Sequence, residues 1–224
     1  MHPQVKQIIP SHDINKNFKL ISFLKSEFEE IELMVNEGCL QGCPHRNLHE
    51  ISDYSNNKYI KNDIITNTAC YSTLFCHRIR DKYPIHSFVI SNIIFPWDLE
   101  EYKKIGISKF KLVGREIYNR FNEYINNFKI YLKGVDNFKN IENEAICTFI
   151  YHLAQNPDLQ KLMVKDCKNY LPNINYFKKY GHLCASRCGV DCRYCYKCAE
   201  KIEKVYKKKI KEKELHYVHA CKMT

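Results

Sequence analysis

Five cysteines, Cys184, Cys188, Cys192, Cys195 and Cys198, fall within fifteen residues of one another. Gaps of two and three residues bring thiolates close enough to hold a tetrahedral zinc or an iron–sulfur cluster, and a hydrophobic core makes no demand for such density. A second, looser group lies upstream: Cys39, Cys43, Cys70 and Cys76. The stretch Asn36-Glu37-Gly38-Cys39-Leu40-Gln41-Gly42-Cys43-Pro44-His45-Arg46 joins two thiols, flexible glycines and cationic or titratable groups, the parts of a reactive pocket. Cys70 and Cys76 could complete four-thiolate ligation across this loop, with His49 or His77 as substitutes. A closed four-cysteine site would be structural or electron-carrying, whereas an open coordination position would permit Lewis-acid chemistry.

Within the tail, Cys192-x2-Cys195-x2-Cys198 matches the first three ligands of the bacterial ferredoxin run, and a fourth would come from Cys184 or Cys188. An iron–sulfur cluster and a structural zinc are both expected readings of this segment. Cys188-x3-Cys192-x2-Cys195, with Tyr194 before the last cysteine, also resembles the cluster motif of radical S-adenosylmethionine enzymes. In those enzymes the motif follows an early barrel strand, and here helical sequence follows it, which argues against that chemistry. Cys147, Cys167 and Cys221 read as small buried apolar residues.

Twelve cysteines in 224 residues would suit a disulfide scaffold in a small secreted chain. The start Met1-His2-Pro3-Gln4-Val5-Lys6 lacks the basic opening and apolar core of a signal peptide, so a cytoplasmic setting with reduced thiols is expected, and clustered cysteines there are ligands. No apolar run approaches the roughly 18 residues of a membrane span, so no membrane partner is expected. The net charge of +10 is densest in Lys201–Lys213, KIEKVYKKKIKEK. This is either a solvated helical face, which a Glu200–Lys204 pair at i, i+4 would support, or a surface for a polyanion such as RNA.

The elements that must position these groups follow from hydrophobic spacing. Residues 6–9 form a short strand, and Asp13 caps a helix whose Phe18, Ile21, Leu24 and Phe28 share one face. Ile31–Val35 is the clearest strand, and it delivers Cys39 at its C-terminal end, where open α/β proteins and barrels place their chemistry. Thr68–Lys82 reads as a helix or tight turn and His86–Ile90 as a strand. Pro96-Trp97-Asp98 opens a helix through Lys104, Ile105-Gly106-Ile107 turns, and Lys109–Val113 is a further strand. About four βα units result, with no glycine-rich phosphate loop. The expected fold is α/β: a partial (β/α) TIM-type barrel over 1–135, helices over 136–180 (around Ile141–Leu153 and Asp158–Lys168), and a Cys-rich metal-binding segment with a lysine-rich helix over 181–224.

The runs NEGCLQGCPHR, CYSTLFCHRIR and PWDLEEYKKIGISKFKLVGRE resemble the C-terminal half of the barrel in the peptidase U-32 (collagenase-like protease) family. Its superfamily includes oxygen-independent hydroxylases of ubiquinone precursors and enzymes that hydroxylate tRNA or ribosomal RNA. The resemblance implies a [4Fe–4S] cluster on Cys39, Cys43 and Cys76. Some members carry a cysteine just after an Asp-Leu pair, but Asp98-Leu99 is followed here by Glu100, so the fourth ligand would be Cys70 or a tail thiol. Lys111-Leu112-Val113-Gly114-Arg115 is similar to the family's Lys-Ile-Glu-Gly-Arg, with Val113 replacing the acid. Arg46, Lys111 and Arg115 are expected to bind an anionic group. A subgroup of such barrels ends in a thiol-rich tail with a Cys-x-Tyr-Cys core, which would cover Cys192–Cys195, so one or two clusters are implied.

Half a barrel leaves two sheet edges open, so either a homo- or hetero-oligomer completes it or the chain is a truncated product. The leading expectation is an iron–sulfur enzyme that hydroxylates or otherwise modifies RNA or a small aromatic precursor. A non-catalytic zinc or iron–sulfur module contacting nucleic acid or a partner protein stands second. Peptidase activity stands last, because no nucleophile, base and orienting acid are spaced for it.

Overall fold

The computed structural model describes residues 5–43, 46–47, 78–79, 82–112, 125, 128–129, 131–132, 168–188 and 190–221. Three short parallel strands, β1 (Gln7–Ile8), β2 (Glu30–Met34) and β3 (Lys109–Lys111), form a sheet in the order β1-β2-β3. Ile8 pairs with Ile31, and Leu33 with Phe110. In β2 the period of two is visible directly: Ile31 and Leu33 are buried while Glu30, Glu32 and Met34 are partly exposed.

Helix α1 (Phe18–Glu27) returns the chain from β1 to β2, burying Phe18 and Ile21. Its cap is Asn17, whose Oδ1 accepts the Leu20 N–H at 3.2 Å. Asp13, expected at that position, instead lies in a single 3-10 turn, His12–Ile14. The reason is tertiary. The residues after this turn are held by long-range bonds, with Asn15 Nδ2 donating to the Met34 carbonyl (2.7 Å) and the Asn92 carbonyl (2.8 Å), so the helix starts where the buried face begins, at Phe18.

The expected strand at His86–Ile90 is a helix. α2 (Pro84–Ile90) starts with proline in its first turn and buries Ile85, Phe88 and Val89, a spacing of three and four. Extended pairing comes just after it, where the Asn92 N–H donates to the Cys39 carbonyl (3.1 Å) and the Ile94 N–H to the Val35 carbonyl (2.8 Å). Pro96–Asp98 then forms a 3-10 turn leading into α3 (Leu99–Lys104). Gly106, at φ 87°, makes the turn into β3 that the sequence places there.

Three further helices carry the tail: α4 (Ile174–Tyr180), α5 (His182–Ser186) and α6 (Tyr194–Cys221), the last being the expected lysine-rich helix. They pack on the same core as the sheet. Phe177, Cys184, Cys195, Cys198, Ala199 and Ile202 are continuous with Ile21, Leu33, Phe88, Ile94, Tyr102 and Ile107. α6 lies along α2, where His86 Nδ1 sits 3.3 Å from Glu203 Oε1. On the surface of α6 Glu203 pairs with Lys207, about one turn from the expected Glu200–Lys204. The helices expected within 141–168, with Cys147 and Cys167, lie outside the described residues, as does most of Thr68–Lys82. Among the described residues no helix is long and apolar enough to cross a membrane.

Candidate metal centre

The tail gathers its thiols because α4 and α5 meet at Gly181 and the chain then doubles back into α6. Around this return the Arg187 carbonyl accepts three N–H groups, from Val190 (3.3 Å), Asp191 (3.1 Å) and Cys192 (3.3 Å), while Arg187 Nε pairs with Asp191 Oδ2. That wrapped turn sets Cys188 beside Cys192 as a backbone bridge. α5 supplies Cys184, and the first turns of α6 supply Cys195 and Cys198 from its buried face. Cys184, Cys192, Cys195 and Cys198 are buried and Cys188 is partly so; none is in a disulfide.

A buried cation lies beside this group, and the exposed Lys201 also acts on Cys198. Lys16, at the entry to α1, is only 5% exposed. Its Nζ donates to the Ile90 carbonyl at 3.4 Å and lies 5.3 Å from the centre of the Phe177 ring. Burial pushes the Cys184 thiol up to about 12, Lys16 opposes that rise, and Cys195, Cys188 and Cys192 add to it. Burial likewise raises Cys188, Cys195 and Cys198, with Lys16 acting against the rise in each. The thiols are therefore electrostatically one cluster, and the ammonium is its shared counterweight. On another side the Tyr176 hydroxyl is 3.3 Å from Cys192 Sγ, a contact that, with burial, raises Tyr176. Tyr176 stacks on Tyr194 at 3.7 Å, and the Tyr194 hydroxyl accepts the Asn173 N–H at 2.9 Å.

The upstream loop leaves β2 and turns at Gly42 (φ 62°), with the Cys43 N–H donating to the Leu40 carbonyl at 3.2 Å. It is tied to residues 11–17 through Asp13. That carboxylate pairs with Arg46 and accepts from Asn92 Nδ2 (3.0 Å) and the Gly42 N–H (3.4 Å), and Gln41 Nε2 donates to the Asp13 carbonyl at 2.9 Å. Arg46 also donates to His12 Nε2 (3.1 Å) and Ser11 Oγ (3.2 Å). The guanidinium expected to meet an external anion is thus engaged by Asp13.

Among the described residues, His12, Glu37 and Cys39 form the group of His, Cys, Asp or Glu whose ligand atoms all lie within 4.8 Å of one another. The Cys39 N–H donates to Glu37 Oε1 at 3.2 Å. No three of the five tail sulfurs meet that spacing. Four thiolates on one zinc, each about 2.3 Å from the ion, would lie about 3.8 Å apart. A cluster that seats each thiolate on a different iron spreads them farther.

The structure therefore gathers Cys184, Cys188, Cys192, Cys195 and Cys198, and sets Cys39 with His12 and Glu37. Lys111 is exposed at the end of β3, where its carbonyl accepts the Val35 N–H at 3.0 Å. Cys70, Cys76 and Arg115 lie outside the described residues, as do His45, His49 and His77. Sequence reasoning missed His12, Lys16 and Tyr176. The signal for the first two is the polar run Ser11-His12-Asp13-Ile14-Asn15-Lys16-Asn17 at the C-terminal end of β1, a strand-end loop like the one that carries Cys39. No protein-family model, no curated protein and no solved structure matches the chain.

Proposed function

We propose that the chain is an iron–sulfur protein in which Cys184, Cys188, Cys192 and Cys195 hold a [4Fe–4S] cluster. One observation carries this reading: Cys184, Cys192 and Cys195 are buried and Cys188 partly so beside the buried Lys16, whose charge neutral thiols leave uncompensated and a thiolate-bound anionic centre would balance. Bound there, a cluster would supply one-electron chemistry or a rigid cross-link. The protein's own part is to exclude water, hold Cys188 and Cys192 through the Arg187 turn, and direct the Tyr176 hydroxyl at one sulfur.

In the wider reading this centre belongs to a partial barrel of the U-32 type, cytoplasmic, acting in oxygen-independent hydroxylation or another modification of RNA or a small aromatic precursor. The parallel strands and the gathering of Cys39, His12 and Arg46 at their C-terminal ends support it. Cys39 and Cys43, with Cys76 and either Cys70 or a tail thiol, would hold a second cluster. A homo- or hetero-oligomer would complete the barrel. The test is anaerobic purification with iron, zinc and sulfide analysis of wild type, Cys192→Ser/Cys195→Ser and Cys39→Ser/Cys43→Ser. The tail reading requires about four irons and matching sulfide to vanish from the Cys192→Ser/Cys195→Ser protein. One zinc per chain without sulfide would refute it.

A second reading, a metal-stabilised module that contacts RNA, draws on the surface of α6. Lys197, Lys201, Lys204, Lys208 and Lys211 are exposed at spacings of four, three, four and three, on the side of the helix opposite Cys195, Cys198 and Ile202. Such a stripe suits a phosphate backbone, and binding through it would weaken steeply with salt.

A further inference from the structure

We infer that Lys16 is the fixed counter-charge of the tail cluster and raises its reduction potential, which makes the centre a tuned electron acceptor. The inference rests on the iron–sulfur reading of Cys184, Cys188, Cys192 and Cys195.

Taking an ammonium out of water costs several kcal/mol unless opposite charge repays it. Among the described residues the Lys16 side chain meets the Ile90 carbonyl, at a long 3.4 Å, and the face of Phe177. Neither carries a full negative charge, and among the described residues no carboxylate lies within ion-pair reach of Nζ. The position is nevertheless held firmly. The Lys16 backbone is packed so closely on the α4–α5 corner that a Cβ at Gly181 would collide with its carbonyl. The residue is therefore fixed against the corner from which α5 carries Cys184.

With neutral thiols that burial is unrewarded. Four thiolates around an iron–sulfur core make a net anion, and this reverses the balance. One-electron reduction, with the electron from a low-potential reductant and no bond made or broken, adds a further negative charge. A fixed cation alongside lowers the energy of that reduced state more than of the oxidised one, and so raises the potential. The Tyr176 hydroxyl, 3.3 Å from Cys192 Sγ, acts in the same direction as a donor to ligand sulfur.

The test uses the full chain with its cluster, in wild-type, Lys16→Met, Lys16→Gln and Lys16→Arg forms. Each is titrated with dithionite and redox mediators and followed by optical and electron paramagnetic resonance spectra. Iron and sulfide content is measured on the same samples. We expect wild-type iron in all four proteins. In Lys16→Met and Lys16→Gln the equilibrium constant for reduction should fall at least tenfold, 59 mV for one electron, while Lys16→Arg stays near wild type. Lys16→Gln keeps a donor for the Ile90 carbonyl and guards against a folding failure of Lys16→Met. Neutral variants that hold full iron at the wild-type potential would overturn the inference while leaving the cluster itself in place, and so would Lys16→Arg behaving as they do. A wild-type protein without iron would instead remove the cluster reading, and this inference with it.

Discussion

Replacing Gly181 by alanine should loosen the tail from the body of the protein, and the size of the effect follows from distances. Gly181 has ordinary right-handed helical angles, φ −59° and ψ −23°, so alanine meets no backbone strain there and would gain up to about 1 kcal/mol from its helix preference. Space is the difficulty. An added Cβ would lie 2.8 Å from the Lys16 carbonyl carbon, closer still to its oxygen, and 2.5 Å from the Phe177 carbonyl oxygen. Carbon–carbon contacts settle at about 3.5–4.0 Å and the carbonyl oxygen lies closer still, so α4 and α5 must retreat from residues 12–17 by about 1.5 Å. Both sides of the contact are backbone, with no flexible side-chain end to swing aside. Overpacking of this kind costs about 1–3 kcal/mol, and the upper end applies, leaving a net loss of about 2 kcal/mol. For a chain of this length that lowers Tm by roughly 4–8 °C. Urea unfolding would give the same loss as a shift in midpoint at constant slope. A Gly181→Ala protein melting at or above the wild-type temperature would refute the close approach.

Other perturbations probe the same docking. Ile202 is fully buried on α6 against the core, and Ile202→Ala should cost about 2–5 kcal/mol; a loss under about 1 kcal/mol in urea would mean that α6 does not pack there. Glu101 accepts from Lys104 on its own helix and from Lys178 on α4, and these bonds hold its carboxyl below the ordinary value. A depressed folded-state value contributes stability above the unfolded value, and that contribution fades as pH falls through the folded one. The Tm advantage of wild type over Glu101→Gln should therefore be constant near neutrality and shrink below about pH 4.5. An advantage unchanged down to about pH 3 would show that the pair does not link α3 to α4.

What could be read from the residues alone was whatever local spacing encodes. β2 announced itself because Ile31, Leu33 and Val35 alternate with Glu32 and Met34, and the tail thiols because their ligand spacing needs no tertiary context. His86–Ile90 misled because a short apolar run fits a buried strand and a buried helix equally well. Pro84 at the first turn and the cover supplied by α6 decide for helix. Asp13 looked like a cap since aspartate before an apolar periodic run usually is one, yet its carboxylate is taken by Arg46, Asn92 and Gly42, partners 29 to 79 residues away. Lys16 carried no local mark beyond its place in the polar run after β1. Its meaning arises only when α4 and α5 fold back over it, and neither periodicity nor propensity reports on such a closure.

That fold-back also sets an order of events during synthesis. Lys16 and Cys184 are separated by 168 residues of chain, an interval that translation at 5–20 residues per second covers in roughly 8–34 s. Until then Ile21, Phe88 and Val89 lack part of the cover that Phe177, Ala199 and Ile202 later provide. The nascent sheet and its helices thus wait with part of that apolar surface uncovered. The tail both closes the core and brings the thiols, so filling of the proposed metal site and closure of this core are expected to be one event, slow because its contacts are distant in the chain.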